Sequence, residues 1–275
     1  MLELTPASKP RPISLLLDVD GTLLEFASHP DSVLVSRPLI ALLDELFGLL
    51  GDRLALVSGR SIASLNRLFL PFAPIAVGLH GLELRLSKQV EGQRCDLIDR
   101  LPTQTLPPEL FEQVLEIASK YPLTFVENKE QAVAVHYKLD LPHAGMLAAS
   151  LNTVCSQFAP EWIVLPGRQV FEIKPSWVTK ATAVDRLMSL PAFAGSLPIA
   201  FGDDITDLDM FSAVRRHGGL TVSVGPRIAG AGDLHLTSPS SSIMMLGRIA
   251  AALHSGNNSQ AILEVMQADQ AQRVG

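Results

Sequence analysis

The chain has very little cysteine, no excess of basic charge and no long apolar run. Its 275 residues hold two cysteines, Cys95 and Cys155. Two are too few for a disulfide framework, and neither stands in a metal-ligand spacing, so both read as small buried hydrophobes of a reducing compartment. The net charge of −6 argues against a sequence-independent nucleic-acid binder, which needs a basic surface. No apolar run approaches the roughly 20 residues of a membrane span, and Met1 to Pro12 lacks the apolar core of a signal peptide. The expectation is a cytoplasmic protein with neither membrane nor nucleic acid as partner. With 47% hydrophobic and 18% charged residues, it is a well-buried globular chain of one large or two smaller domains.

What is present concentrates in one stretch, Leu15-Leu16-Leu17-Asp18-Val19-Asp20-Gly21-Thr22-Leu23. An apolar run of strand length ends in two carboxylates spaced i, i+2, which on a strand point the same way. Gly21 then gives a backbone that bends freely or comes close to a ligand. Open α/β sheets place their ligands at this carboxyl edge. Two carboxylates so close are costly unless a cation lies between them or one holds a proton. A bare D-x-D is usually an acidic turn. The full D-x-D-G-T-L after an aliphatic run resembles the first motif of the haloacid dehalogenase-like (HAD) phosphatases. That resemblance implies Asp18 as a nucleophile that forms an aspartyl-phosphate, and Asp20 as the acid that protonates the leaving group and then activates water.

The organisation of the chain agrees. Strands at 13–18, 53–57 and 75–79 alternate with helices near 37–50 and 61–69, the first with Ser36 as N-cap and Gly51 as stop. This βαβαβ pattern predicts a doubly wound parallel sheet. Between about 107 and 174 the pattern changes to α-β-β twice over, with hairpin turns at Asn128-Lys129 and Pro166-Gly167, hence antiparallel pairing. It reads as an inserted α/β cap. After Pro175 the first pattern returns: helix 179–190, strand 197–201, helix 206–216, strand 220–224 and a last helix near 240–254. The fold class expected is α/β, a HAD-like core formed by residues 1–106 and 175–275 with an αββαββ cap from 107–174.

Four sites lie at strand ends or helix starts of the core: Asp18 and Asp20; Ser58-Gly59-Arg60; Lys180; and Asp203, Asp204 and Asp207. A parallel sheet brings such positions to one edge. Phosphoryl transfer needs this set, because a phosphate monoester and a carboxylate repel unless a divalent cation and donors offset the charge. Asp203 with Asp18 and a backbone carbonyl of Val19 or Asp20 supplies hard oxygen ligands suited to Mg²⁺. Ser58 supplies a hydroxyl donor, and Lys180 a mobile point charge.

The order D-x-D-G-T-L, S-G-R, K, G-D-D resembles the four HAD motifs. Further runs resemble those of the trehalose-6-phosphate phosphatases: Gly202 to Asp207 (G-D-D-x-T-D), Gly78 to Glu83 (G-x-H-G-x-E), Glu127-Asn128-Lys129, His136-Tyr137-Lys138, and Gly167 to Pro175. The resemblance covers about residues 13–250. It implies Mg²⁺-dependent hydrolysis of trehalose 6-phosphate, with Asp18, Asp20 and Lys180 catalytic. Thr22, Ser58, Gly59 and Arg60 would bind phosphate, and Asp18, Asp20, Asp203, Asp204 and Asp207 the metal. Substrate contacts would come from His80, Glu127, Lys129, Lys138, Arg168 and Glu172, the cap residues closing as a lid over the sugar. Such charges on a hairpin are equally at home as solvated cross-strand pairs. The partner implied is a small-molecule sugar phosphate, handled by a monomer. Another phosphorylated sugar or glycoside as substrate, and a sugar phosphomutase, remain the alternatives.

Overall fold

The computed structural model describes residues 11–25, 33–90, 93–101, 105–138, 140–167, 169–256 and 259–274. Most of the amino-terminal segment read above for a signal peptide, and the side chain of Cys95, lie outside the described residues. The chain opens with β1 (Ile13–Leu17), α1 (Arg37–Leu50), β2 (Leu54–Val57), α2 (Ile62–Phe69) and β3 (Ile75–Gly78). Helix α1 forms where its signals stand. The Ser36 hydroxyl accepts the Leu39 N–H, Leu39, Leu43, Leu46 and Leu50 make a buried stripe, and Gly51 ends the helix at φ +63°.

Two strands follow that the βαβ pattern does not contain. β4 (Glu83–Val90) and β5 (Gln93–Arg100) pair antiparallel and extend the sheet beyond β3. The inserted unit comprises α3 (Pro108–Ser119), β6 (Thr124–Asn128), β7 (Val133–Tyr137), α4 (Leu141–Cys155), β8 (Trp162–Gly167) and β9 (Val170–Pro175). Its four strands form an antiparallel sheet in the order β6-β7-β9-β8. The core resumes with α5 (Lys180–Met188), β10 (Leu197–Gly202), α6 (Ile205–Arg216), β11 (Leu220–Val224), β12 (Leu234–Leu236), α7 (Pro239–His254) and α8 (Ser259–Val274).

The large sheet runs β12-β11-β10-β1-β2-β3-β4-β5, parallel from β12 to β3. It is buried on both faces, and this is why β1 is apolar at almost every position rather than alternating. Leu15 and Leu17 pack with the leucines of α1 and with Met245 and Ile249 of α7, whereas Leu16 packs opposite with Val184 of α5 and Val214 of α6. Each fully buried leucine is worth about 2 kcal/mol of transfer free energy before entropy is charged against it. The cap has a core of its own, in which Val133, Val135, Ile173 and Trp162 meet Leu110 and Val114 of α3 and Leu147 and Leu151 of α4. Cys155 lies in that core as a free thiol, its pKa pushed up by burial to about 11. The sheet order positions the site: β1 lies between β10 and β2, so the chain leaves it in opposite directions and a crevice opens at its carboxyl end.

Candidate active site

Asp18 follows β1 directly and its N–H donates to the Phe201 carbonyl at 3.0 Å, so it stands at the mouth of the crevice. Asp203 follows β10 on one side, and Ser58 follows β2 on the other. Lys180, the first residue of α5, reaches the same point and is 3% exposed. Its Nζ donates to Asp18 Oδ1 and to Asp207 Oδ1, both at 2.6 Å. Asp207 is held in turn: its Oδ2 accepts the backbone N–H groups of Asp203 and Asp204, each at 3.0 Å. Gly202 is what lets it pack there, since a Cβ at 202 would lie 2.4 Å from the Asp207 carboxyl carbon.

Asp18, Asp203 and Asp207 each present a carboxylate oxygen within 4.8 Å of the others, and all three are buried. Three carboxylates share one ammonium. Burial first, then the neighbouring Asp207, pushes Asp18 up to about 7 against the pull of Lys180. Burial and the charges of Asp18 and Asp207 push Asp203 up to about 9. For Lys180 burial favours the neutral amine, but Asp18 and Asp207 outweigh it and raise its pKa. A buried all-oxygen cluster left short of positive charge is suited to a hard divalent cation such as Mg²⁺. The donor set thus fits the metal.

The other two aspartates expected at the metal are engaged elsewhere. Asp20 meets the Arg60 guanidinium on both oxygens, Nε to Oδ2 and Nη2 to Oδ1. Asp204 caps α6, accepting the Ile205 N–H at 2.7 Å, and its Oδ1 lies 2.9 Å from Arg227 Nη1. Helix-capping chemistry explains Asp204. The cation site therefore gathers three of the five side chains.

Around the expected phosphate position, Ser58 Oγ accepts the Arg60 N–H at 3.1 Å. Thr22 is fully buried and its hydroxyl has no partner among the described residues, which suits a donor waiting for an anion. Gly59 allows a close approach: a Cβ there would lie 2.6 Å from His80 Nε2. His80 occupies the left-handed region at φ +58°, and its Nε2 meets Glu172 Oε2. Glu83, of the same motif, accepts the Ile62 N–H at 2.7 Å and so anchors the start of α2.

The cap faces this edge across a cavity of about 610 Å³, lined by Asp18, Asp20, Arg60 and Lys180 from the core and by Glu127, Lys129, Lys138 and Glu172 from the cap. Lys129 Nζ donates to Glu172 Oε1 at 2.6 Å and to the Gly59 carbonyl at 3.3 Å. Burial favours a neutral Lys129, but Glu172 and Glu127 outweigh it and raise its pKa. Burial likewise opposes a charged Glu172, yet Lys129 and His80 hold it well below the usual carboxylate range. Glu127 accepts from His136 Nε2 at 3.0 Å, and that bond lowers its pKa. Arg168 lies outside the described residues. Lys129 and Glu172 thus lie largely buried in the cavity wall, whereas Glu127 is half-buried there and Lys138 is exposed. Two partnerships were missed from the sequence: Arg60 with Asp20, and His80 with Glu172. Both join residues distant in sequence, and no spacing rule marks such pairs.

The Trehalose-phosphatase family model matches residues 16–236. A probable trehalose-phosphate phosphatase of Sinorhizobium fredii is 37% identical over 215 residues, which cover 78% of each chain. The trehalose-6-phosphate phosphatase of Escherichia coli is 33% identical over 224 residues, 79% of this chain and 82% of the relative. Among solved structures, the C-terminal domain of the C. albicans trehalose-6-phosphate phosphatase matches at a TM-score of 0.73 and 22% identity, covering 88% of this chain and 93% of that one. Among the described residues, no helix is long and apolar enough to cross a membrane. Fold, buried aspartate cluster and relatives agree: the chain belongs to the trehalose-phosphatase family.

Proposed function

We propose that this chain hydrolyses trehalose 6-phosphate to trehalose and inorganic phosphate through an aspartyl-phosphate on Asp18. The observation that carries this reading is the Lys180–Asp18 contact, which joins a buried carboxylate to a cation at the carboxyl edge of β1, in a cavity with a polar cap wall. Lys180 holds Oδ1 of Asp18 and leaves Oδ2 to attack phosphorus. The bond from phosphorus to the sugar oxygen breaks, and Asp20, as a carboxylic acid, passes its proton to that oxygen. Asp20 then takes a proton from water, whose oxygen attacks phosphorus. The bond to Asp18 breaks, phosphate leaves, and both carboxyl groups are as they began.

Arg60 now binds Asp20 as a pure acceptor. A bound phosphate offers the guanidinium a second anion, which frees Asp20 to carry a proton. Thr22 and Ser58 donate hydroxyls to the phosphoryl oxygens. Asp18, Asp203 and Asp207 would hold Mg²⁺, which supplies charge neutralisation for phosphate and nucleophile together. Glu127, Lys129 and Glu172 read the sugar hydroxyls, and Lys138 stands at the rim of the same wall. The reading takes the protein to be a cytoplasmic monomer, which sedimentation of the purified protein and fractionation of cells test directly. The activity itself is tested by phosphate release from a panel of sugar phosphates with Mg²⁺. Trehalose 6-phosphate is expected to give the highest kcat/KM. Preference for another sugar phosphate would overturn the substrate while leaving the phosphatase chemistry in place.

A further inference from the structure

The cap sheet turns two rows of side chains toward the cavity. Side chains alternate along a strand, so Val126, Val135 and Phe171 face the cap helices while their neighbours face the cavity. Register aligns Glu127 with Ala134 and Glu172 in one row, and Phe125 with His136 and Val170 in the next. The first row is polar and touches the core through Glu172 and His80. The second lies two residues farther from the core along each strand, about 7 Å at a rise of about 3.4 Å per residue.

That second row holds an aromatic pair. The rings of Phe125 and His136 stack with centroids 5.0 Å apart and planes inclined by 15°. His136 is tied down by Glu127, so the stack is anchored to the polar row. Phe125 is nonetheless 45% exposed and lies on the cavity wall, outside the hydrophobic core of the cap. A phenylalanine held flat, half exposed and lining a polar cavity is costly in water and useful to a ligand with an apolar face. A pyranose has one, its axial C–H groups.

We propose that Phe125, braced by His136, is the platform for the second sugar ring, the one without phosphate. This rests on trehalose 6-phosphate as substrate and adds to it a division of labour. The polar row reads the ring next to the phosphate, and the aromatic row measures whether another ring follows. A monosaccharide phosphate would end short of Phe125. The distal ring takes no part in the chemistry, and its binding energy is available for drawing the cap onto the core.

The test is steady-state kinetics of the whole enzyme with Mg²⁺ on trehalose 6-phosphate and on acetyl phosphate, which has no ring. Phe125→Ala is expected to lower the ratio of the two kcat/KM values about tenfold, with most of the loss in KM for the disaccharide. Phe125→Tyr should restore the ratio and Phe125→Leu should not, since leucine keeps apolar volume but has no aromatic face. An unchanged ratio in Phe125→Ala, or full restoration by Phe125→Leu, overturns the platform. Circular dichroism of each variant separates loss of fold, which would lower both substrates together and also count against the proposal. Failure of the substrate reading shows in the wild type alone, as absent turnover of trehalose 6-phosphate, and takes this inference with it.

Discussion

Arg60 grips both carboxylate oxygens of Asp20, with Nε–Oδ2 and Nη2–Oδ1 each at 2.7 Å. The fork joins the loop after β2 to the loop after β1 and fixes the aspartate over the cavity. Arg60→Ala should lower kcat/KM on trehalose 6-phosphate by about 100-fold, a loss of about 2.7 kcal/mol in transition-state binding. Arg60→Lys should recover little, because one ammonium cannot reproduce two parallel hydrogen bonds. Near-complete recovery with lysine would mean that charge alone matters.

Asp18→Asn keeps the shape of the side chain but removes its nucleophilicity. Turnover should fall by at least about 10³-fold while the circular dichroism spectrum is retained. In the wild type, acid quenching during turnover of ³²P-labelled substrate should trap label on the protein, and the variant should trap none. Label retained at Asp18→Asn would place the covalent step on another residue.

The cluster of Asp18, Asp203 and Asp207 gives a prediction that does not depend on turnover. With chelator present, Asp203→Asn should raise Tm at pH 7, since it removes a carboxyl whose ionisation burial and its two acidic neighbours oppose in the folded protein. Added Mg²⁺ should raise the Tm of the wild type by mass action and leave that of the variant much less changed. Asp204→Ala should behave differently: it loses the cap of α6, about 1 kcal/mol, and keeps most of the Mg²⁺ response. An equal loss of Mg²⁺ response in both variants would return Asp204 to the metal.

Glu172 offers a pH test. Its carboxyl lies well below 4.5 in the folded protein, so its charged form stabilises the fold above that value, and this contribution is lost as pH falls through the folded pKa. Glu172→Gln leaves Lys129 buried with less compensation and should cost about 3 kcal/mol at pH 7. The gap in Tm between the two proteins should hold from pH 7 to about 5 and narrow only in more acidic buffer. A gap independent of pH would mean that packing, not charge, is what the glutamate contributes.

Glu172 and its neighbours also bear on the cap's role. Glu127→Ala, Lys129→Ala and Glu172→Ala should each reduce kcat/KM strongly for trehalose 6-phosphate and much less for a small aryl phosphate, because a site built to bond hydroxyls penalises a ligand without them. Equal losses on both substrates would make these residues supports of the core site.

Much of this was legible in the sequence where a signal is local. Ser36 and Gly51 bracket α1, and the aliphatic run before Asp18 marks a strand buried on both faces. The G-D-D-x-T-D run likewise announces a strand end and a capped helix. The hairpin of β4 and β5 was not legible, because its buried positions include Glu83 and Arg85, which break the apolar alternation. Arg85 is 1% exposed and donates to the Pro74 carbonyl at 2.9 Å, a partner that no pattern in its own strand predicts. β12 has three residues, and α8 has a composition too mixed to show an apolar face. Among the site residues, the place of Asp204 at the cap of α6 beside Arg227 was not legible, because it depends on a residue distant in sequence. The residues of the cap wall could be picked out, but not the fact that they reach one another, which depends on the register of β6, β7 and β9.

The glycine at 59 has no room for a side chain because the His80 imidazole fills that space, and the same imidazole meets Glu172 on the cap. Residues 59, 80 and 172 therefore form one packed unit. A side chain at 59 would have to displace the His80 ring, and a displaced ring loses its contact with Glu172. The bareness of a backbone position in the core thus helps to set where a carboxylate of the cap stands.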